Sequence, residues 1–373
     1  MIIRIEDLKD ISSTVLSSIS SNSLVTASNI LELVSRDKNL TLKISTGESL
    51  IEINIPQDEE CTLNATIDAE MFFKLIEKTT SSTVELSMGD NCLKVRSNGT
   101  YKFPILYNRD KMLHCENIDI PTITVSTSFN TDILYSIAKY NSKEVGKGTI
   151  VNPVQRLYYI DQEGCVTFTQ GACVNNFHLD SPLKILLSEK IVKLFKLFSP
   201  DTSVKVEVGP YPISEEIIQT RTRFSSENIS ITAILLSNEQ MINSIPVDII
   251  RGMSQEDYPY NVVVNKVNFL SALNRLILFS EHLVSNTFGV FTFEGNKIRI
   301  DDTGSVNYEE LIADSSNIGE ASSYKATFDL VEWKNKLSSC TSNHITLRIG
   351  NKKAGLLLEK NIVYIIPECS SSE

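Results

Sequence analysis

Residues 188–198 read SEKIVKLFKLF and set Lys190, Lys193 and Lys196 at intervals of three, in a chain of 46 acidic and 35 basic side chains. Ammonium groups repeated along one side of a helix can hold a polyanion by its phosphates. The commoner use of such a face is solvation opposite an apolar stripe. Other chemistry has weaker support. His114, His178, His282 and His344 form no H-E-x-x-H or H-x-x-H pattern, and the pair His114-Cys115 has no counterpart elsewhere. The seven cysteines (61, 92, 115, 165, 173, 340, 369) are never spaced C-x2-C, so no metal or cofactor is expected and the thiols read as reduced and mostly buried. EVGKGT (144–149) lacks both the earlier Gly and the Ser or Thr after Lys that a phosphate loop needs. No Ser-His-Asp or G-x-S-x-G arrangement stands out, and Glu215-Glu216 and Asp301-Asp302 read as exposed strand ends. A binding protein is expected, not an enzyme.

At 373 residues and a net charge of −11 the chain is too long for one ordinary core and should hold two or three domains. Hydrophobic residues at 42% and charged at 22%, with 15 Gly and 11 Pro, are those of a chain that folds throughout. MIIRIEDLKD has acids where a leader needs bases, and no run nears the roughly 20 apolar residues of a membrane helix, so a cytosolic protein is expected. The sequons at Asn39, Asn64, Asn98 and Asn228 carry no weight in that compartment.

Positioning the lysines requires a helix, and the sequence predicts one: Ser188 is a good N-cap, and Ile191, Val192, Leu194, Phe195 and Phe198 share one side. A polar loop and the alternating strand VKVEV follow, ending on Gly209. The same order recurs in DAEMFFKLIEKTTSSTVELSMG (68–89) and DLVEWKNKLSSCTSNHITLRIG (329–350), with 21 residues from cap to Gly in all three. A second class of helix precedes each copy: EDLKDISSTVLSSI after MIIRI, NTDILYSIAKY after TVSTSF, and VNFLSALNRLILF after YNVVVNK. Between them lie alternating strands such as NILELVS, LTLKIST and LIEINI, RLYYID and CVTFTQ, and VFTFEG, KIRIDD and YEELIA. Three β-rich repeats follow, 1–121, 122–244 and 245–373, each with two helices, and runs of strands broken by single helices favour α+β with antiparallel sheets.

The order of these repeats, with SNILEL and NLTLKIST in the first, FTQGACV (168–174) in the second and NIVYIIPE (361–368) at the end, resembles the bacterial β-type sliding clamp, the processivity factor of replicative DNA polymerase. FTQGACV is similar to that family's Thr-Asp-Gly turn, and NIVYIIPE to its closing strand and Pro. The resemblance implies three clamp domains with sheets outside and helices inside, closed into a ring as a head-to-tail homodimer. It implies duplex DNA held without sequence preference, a DNA polymerase and a clamp loader as partners, no membrane and no catalysis. The expected DNA-facing residues are Lys74, Lys78, Lys139, Lys143, Lys147, Lys190, Lys193, Lys196, Lys266, Arg275, Lys334 and Lys336, whereas Lys9, among Glu6, Asp7 and Asp10, reads as solvated.

The resemblance also implies a pocket for a partner's apolar peptide from Thr169, Gly171, Ala172, Cys173, Val174, Asp329, Ile366 and Pro367. Ala172 and Cys173 depart from the family's basic or aromatic residues there, and its Pro before the last linker is missing around Glu239. The dimer contact is expected where Leu278 and Phe279 meet KFPIL, notably Phe103 and Ile105, of a second copy. The alternative is a clamp-fold protein serving repair or transcription, or a monomeric scaffold. A composition rich in Ile, Asn, Lys and Ser points to an AT-rich genome such as a large bacteriophage's, and so to the cytoplasm of a bacterial or phage-infected cell.

Overall fold

The computed structural model describes residues 1–19, 29–138, 157–168, 172–214, 218–235, 242–243, 245–280, 287–319 and 321–369. The helices that matter below are α1 (Ile5–Ser18), α2 (Ala69–Lys78), α3 (Thr131–Ala138), α4 (Glu189–Lys193), α5 (Val247–Gln255), α6 (Lys266–Ser280) and α7 (Leu330–Ser339). The strand ladders described below are all antiparallel, so the class is α+β as expected.

The three copies of the cap-helix-strand unit form as their spacing predicts. Asp68 accepts a hydrogen bond from the Met71 N–H (2.6 Å), Ser188 from Ile191 (3.5 Å), and Asp329 from Val331 and Glu332 (2.8 and 3.2 Å). Each satisfies donors that the first turn of a helix leaves without intrahelical partners. The expected helix over 188–198 is α-helical only to Lys193; Leu194–Leu197 tighten into a 3-10 turn. Val192, Phe195 and Phe198 are all buried, and a spacing of three suits a three-residue turn better than a 3.6-residue one.

The chain divides into two compact units, Met1–Ala138 with Leu179–Asn238, and Lys139–His178 with Glu239–Glu373. In the first, one sheet runs in the order Val125–Asn130, Ser203–Pro212, Ile218–Ser225, Ile229–Leu235, Ser49–Pro56, Asn39–Ser45, Ile30–Arg36, Leu63–Asp68. A second runs Ile2–Arg4, Thr83–Gly89, Cys92–Arg96, Thr100–Pro104. In the second unit, one run of strands is Leu157–Asp161, Gly164–Phe168, Ala172–Asn176, Ile362–Pro367, Ala354–Glu359, His344–Ile349, Tyr260–Asn265, Ser315–Ser316. The other sheet is Tyr308–Ile312, Lys297–Asp302, Phe288–Glu294, Ser323–Asp329. The middle repeat is thus shared. Its strands extend the first repeat's sheet at Ile231↔Ile51 and the third repeat's at Val174↔Val363. The repeats at 1–121, 122–244 and 245–373 are periods of sequence, whereas compactness follows the ladders that cross their boundaries.

Each unit buries aromatic rings between helix and sheet. Phe72 packs edge-on to Phe73 and Phe103 in the first (5.5 and 5.9 Å between centroids), while Trp333 in the second is enclosed by Phe269, Phe291 and Phe328 (5.7, 5.6 and 5.4 Å). Gly209 is required because the chain between the first two repeats crosses its backbone: a Cβ there would lie 1.8 Å from the Thr122 carbonyl oxygen. Two expectations need correcting. Asp302 is buried, its carboxylate accepting from Gly304 N–H and Ser305 hydroxyl, so it shapes a turn and is no exposed strand end. Of the cysteines, all free, only Cys165, Cys173 and Cys340 are fully buried, the other four lying half-buried at strand ends and in connections. Glu215-Glu216, His282 and EVGKGT lie outside the described residues.

Asp329→Ala should lower the unfolding free energy of the chain by about 1 kcal/mol, as measured by denaturant titration, while Asp329→Asn, which keeps the accepting oxygen, should leave it nearly unchanged.

Candidate nucleic-acid interface and partner surfaces

The lysines of residues 188–198 lie on the outer side of a segment whose Ile191, Val192, Leu194 and Phe195 are buried. They are not all unopposed. Lys190 Nζ is 3.2 Å from Glu48 Oε1, whose other oxygen accepts from Ser188 (3.3 Å), and Lys193 lies 2.7 Å from Glu189. Lys196 is exposed. On α2, Lys74 pairs with Glu70 at 2.5 Å, and Lys78 is exposed at the last turn, where a cation also complements the helix dipole.

Two expected members of the cationic set have other work. Lys266 donates to the Cys340 carbonyl (2.7 Å), tying the start of α6 to the end of α7, and its side chain is half-buried. Arg275 forms a two-point pair with Glu309 (2.7 and 2.7 Å), and the guanidinium's hydrogen bond holds the Glu309 carboxyl below its ordinary range. Lys334 and Lys336 are half-exposed on α7. Of the expected set, among the described residues, Lys78, Lys196, Lys334 and Lys336 enter no ion pair, so they are its members most available to an external anion. Lys139, Lys143 and Lys147 lie outside the described residues, as do Thr169 and Gly171.

The expected peptide pocket is not one surface. Ala172 pairs with Ile365 and Val174 with Val363, whereas Cys173 pairs with Tyr364. Side chains alternate along a strand, so Ala172, Val174, Val363 and Ile365 share one face, and Cys173, Tyr364 and Ile366 share the other. The Ile366 face looks to α7, since Gly355, opposite Ile366, lies against Trp333. Val174 and Ile366 therefore cannot bound the same slot. Ala172, Cys173, Val174 and Ile366 are all buried, Pro367 is exposed, and the Asp329 carboxylate is committed to its helix cap. An acid at 174 would breach the core, not probe a pocket.

The face of Ala172 and Val174 is covered by α5, an element that the sequence reading missed. Arg251 on α5 donates to both oxygens of Asp161 (2.6 and 2.8 Å) and to Glu163 (3.2 Å), and Val247 and Ile250 of the same helix are buried. Burial opposes the charge on Asp161, but the bonds from Arg251 and the Glu163 N–H outweigh it and hold the carboxyl below its usual range. Pro246 before the first turn, Asp248 in it and apolar residues at 247 and 250 were the available signal; Gly252 inside the helix obscured it.

The expected dimer contact is half right in exposure. Leu278 and Phe279 are 61% and 57% exposed, and Phe279 lies beside Val306 and Tyr308, which are also exposed. Phe279, Val306, Tyr308 and the Arg275–Glu309 pair border a hollow of about 220 Å³. Phe103 and Ile105 are buried at 3% and 7%, Phe103 packing on Phe72, so neither is an external anchor. On that strand Tyr101 is the exposed ring instead.

Beneath these surfaces Glu332, in the first turn of α7, has one carboxylate oxygen buried without a partner. Burial raises its pKa to about 8, Lys336 pulling it back and Asp329 pushing it further. The unfolded carboxyl releases its proton near the ordinary value and the folded one only near 8, so the folded chain holds the extra proton between those values. This contribution to stability is complete below the ordinary carboxylate range and is lost as pH rises towards 8. Glu332→Gln should accordingly raise the melting temperature relative to wild type at pH 8 and leave it unchanged near pH 4, a difference that calorimetry at the two pH values will read.

No family model matches the chain, and no curated protein does. Solved structures do match over its whole length. A DNA polymerase sliding clamp from Bacillus subtilis is 18% identical, with 99% of this chain and 98% of that one covered at a TM-score of 0.70. The beta subunit of DNA polymerase from Streptococcus pyogenes is 17% identical over 99% of both chains at 0.72. The DNA polymerase III beta subunit from Thermotoga maritima is 12% identical over 100% and 99% at 0.73. At such identities the likeness is one of fold: this chain has the fold of those clamps from end to end.

Proposed function

We propose that this chain is a DNA sliding clamp, a non-enzymatic ring that encircles duplex DNA and tethers a replicative polymerase. The observation that carries this reading is the fold match over 98% to 99% of each clamp's length. The lysine faces of α2, α4 and α7 support it. Their cations are mostly lysines, flexible point charges that do not fork onto base edges, and several are already answered by Glu48, Glu70 and Glu189. Attraction of this kind is sequence-independent and weak enough to let DNA pass, while topological closure removes the need for tight binding.

Closure requires a second copy. The Thr100–Pro104 strand ends one four-stranded sheet and Tyr308–Ile312 ends the other, each with one unpaired edge. Joining the two edges head to tail in both directions makes a closed homodimer, with Leu278, Phe279 and Tyr308 of one copy against Tyr101 of the next as the apolar filling. A clamp loader would open this ring. The polymerase would dock by a short apolar segment along the margin of α5 over the strand Ile362–Pro367, on the Val363–Ile365 face. The setting we infer is the cytoplasm of a bacterium, or of one infected by a bacteriophage. No helix among the described residues is long and apolar enough to cross a membrane.

Two experiments test the reading. Lys190, Lys193 and Lys196 all changed to Gln should shorten the lifetime of the loaded ring on nicked circular DNA and reduce polymerase processivity, with fold and assembly intact because loss of the half-exposed Lys190–Glu48 and Lys193–Glu189 pairs costs little stability and no like charges are set together. Retention and processivity equal to wild type would refute DNA contact by this face. Leu278→Asp combined with Phe279→Asp should give folded monomers by sedimentation at micromolar concentration, since both side chains are exposed in the single chain; a persisting dimer would place the contact elsewhere.

A further inference from the structure

In the first two repeats the first strand ends a sheet, in the third it is followed only by a two-residue strand, and in each the connection before the second helix runs near that edge. The third repeat closes that edge. Ser315–Ser316 pair with Val262–Val263, the Asp314 N–H donates to the Val263 carbonyl (2.8 Å), and Asn317 bonds Asn261 through main chain and side chain. The second repeat covers it lightly, with the Ser181 hydroxyl on the Ser126 carbonyl (3.2 Å).

The first repeat leaves it open. Met1 and Leu86 exchange bonds (3.1 and 2.8 Å) and the Ile5 N–H donates to Ser82 (2.9 Å), so antiparallel alternation turns the N–H and C=O of Ile2 and the N–H of Arg4 away from the sheet. The connection that could cover them folds back instead: the Gln57 N–H donates to Lys38 and its side chain to Ile55 and Pro56. Among the described residues no hydrogen bond joins Gln57–Thr62 to Ile2–Arg4, and a cleft of about 730 Å³ lies between them. The cleft is acidic. Asp58, Glu59 and Glu60 are exposed and enter no ion pair among the described residues, while Arg4 is neutralised by Asp7 and Glu6 (3.0 and 3.4 Å). Ile2, 68% exposed, stands on the open edge.

We propose that the Ile2–Arg4 edge is a docking site for an extended, basic segment of another protein. The segment adds as one more strand where the third repeat places its own chain, and sets its cations against Asp58, Glu59 and Glu60. Main-chain bonds to Ile2 and Arg4 give the register, and the acids select the sign of charge. The surface is independent of the DNA-facing helices, whose lysines repel such a segment, and of α5.

The test is a fluorescence-anisotropy titration of the full chain with a labelled six-residue peptide alternating lysine and valine. Ile2→Pro deletes an N–H that has no partner in the ladder, so the sheet should survive and melting should be unchanged. Binding should be saturable and should weaken about tenfold or more in Ile2→Pro, consistent with an unsatisfied interfacial group. It should weaken comparably when Asp58, Glu59 and Glu60 become Asn, Gln and Gln, and for a peptide with glutamate in place of lysine. Absence of saturable binding would make the acids a guard against edge pairing and overturn the proposal. So would binding indifferent to Ile2→Pro, which would be charge attraction alone, or a changed oligomeric state in that variant, which would make a second copy the occupant.

Discussion

The rest of this structure depends on two backbone ladders that join repeats: Ile229–Leu235 on Ser49–Pro56, and Ala172–Asn176 on Ile362–Pro367. Each turns two short sheets into one long one. A helix pair can bury its apolar stripe only against such a surface, and an isolated four-stranded sheet would leave two more edges for solvent or for aggregation. The middle repeat has no sheet wholly its own, which explains why its first helix and its second lie in a unit with the first repeat while the hairpin of Leu157–Phe168 belongs with the third. Removal of one repeat would therefore expose a ladder, and the three are held to one another by main-chain bonds that no side-chain substitution can tune.

That same arrangement separates what was legible in the sequence from what was not. Local signals were read correctly where they are local: Asp68, Ser188 and Asp329 cap their helices, and the strand around Leu42 alternates as written, whereas the strand around Leu31 is buried on both faces. Capping and alternation are decided within a few residues. The fold class followed from them, and the repeat arrangement from their recurrence.

Misreadings came where partners are distant in the chain. Nothing local to Lys190 announces Glu48, and nothing near Arg275 announces Glu309, so a row of cations looked more uniformly available than it is. Phe103 lies on an edge strand and Ile105 just past its end, yet both are buried, Phe103 against Phe72, and only the folded sheet shows which parity is inside. The peptide pocket failed by parity as well. The resemblance grouped residues 173 and 366 with 172 and 174, whereas a strand sends neighbours to opposite sides. The helix Val247–Gln255 was lost to one internal glycine, and with it the Arg251 clamp that fixes the cover of the Val174 face.

The 3-10 turn at Leu194–Leu197 has a geometric consequence for the row of lysines that ends on it. Three residues advance ~4.5 Å along an α-helix and ~6 Å along a 3-10 helix, so the steps from Lys190 to Lys193 and from Lys193 to Lys196 are unequal. Phosphates along one strand of a duplex recur evenly, every ~3.4 Å of axis. Taken against that repeat, an α-helix throughout would set the three ammonium groups at offsets of 0, ~1.1 and ~2.2 Å, spread almost evenly, whereas the wider last step brings the third back to ~0.3 Å. The first and last lysines are thereby nearly in phase with a polyanion of that spacing lying along the row, and the middle one is not. The tightened turn sharpens the profile that such a polyanion would meet, where a regular helix would have smoothed it.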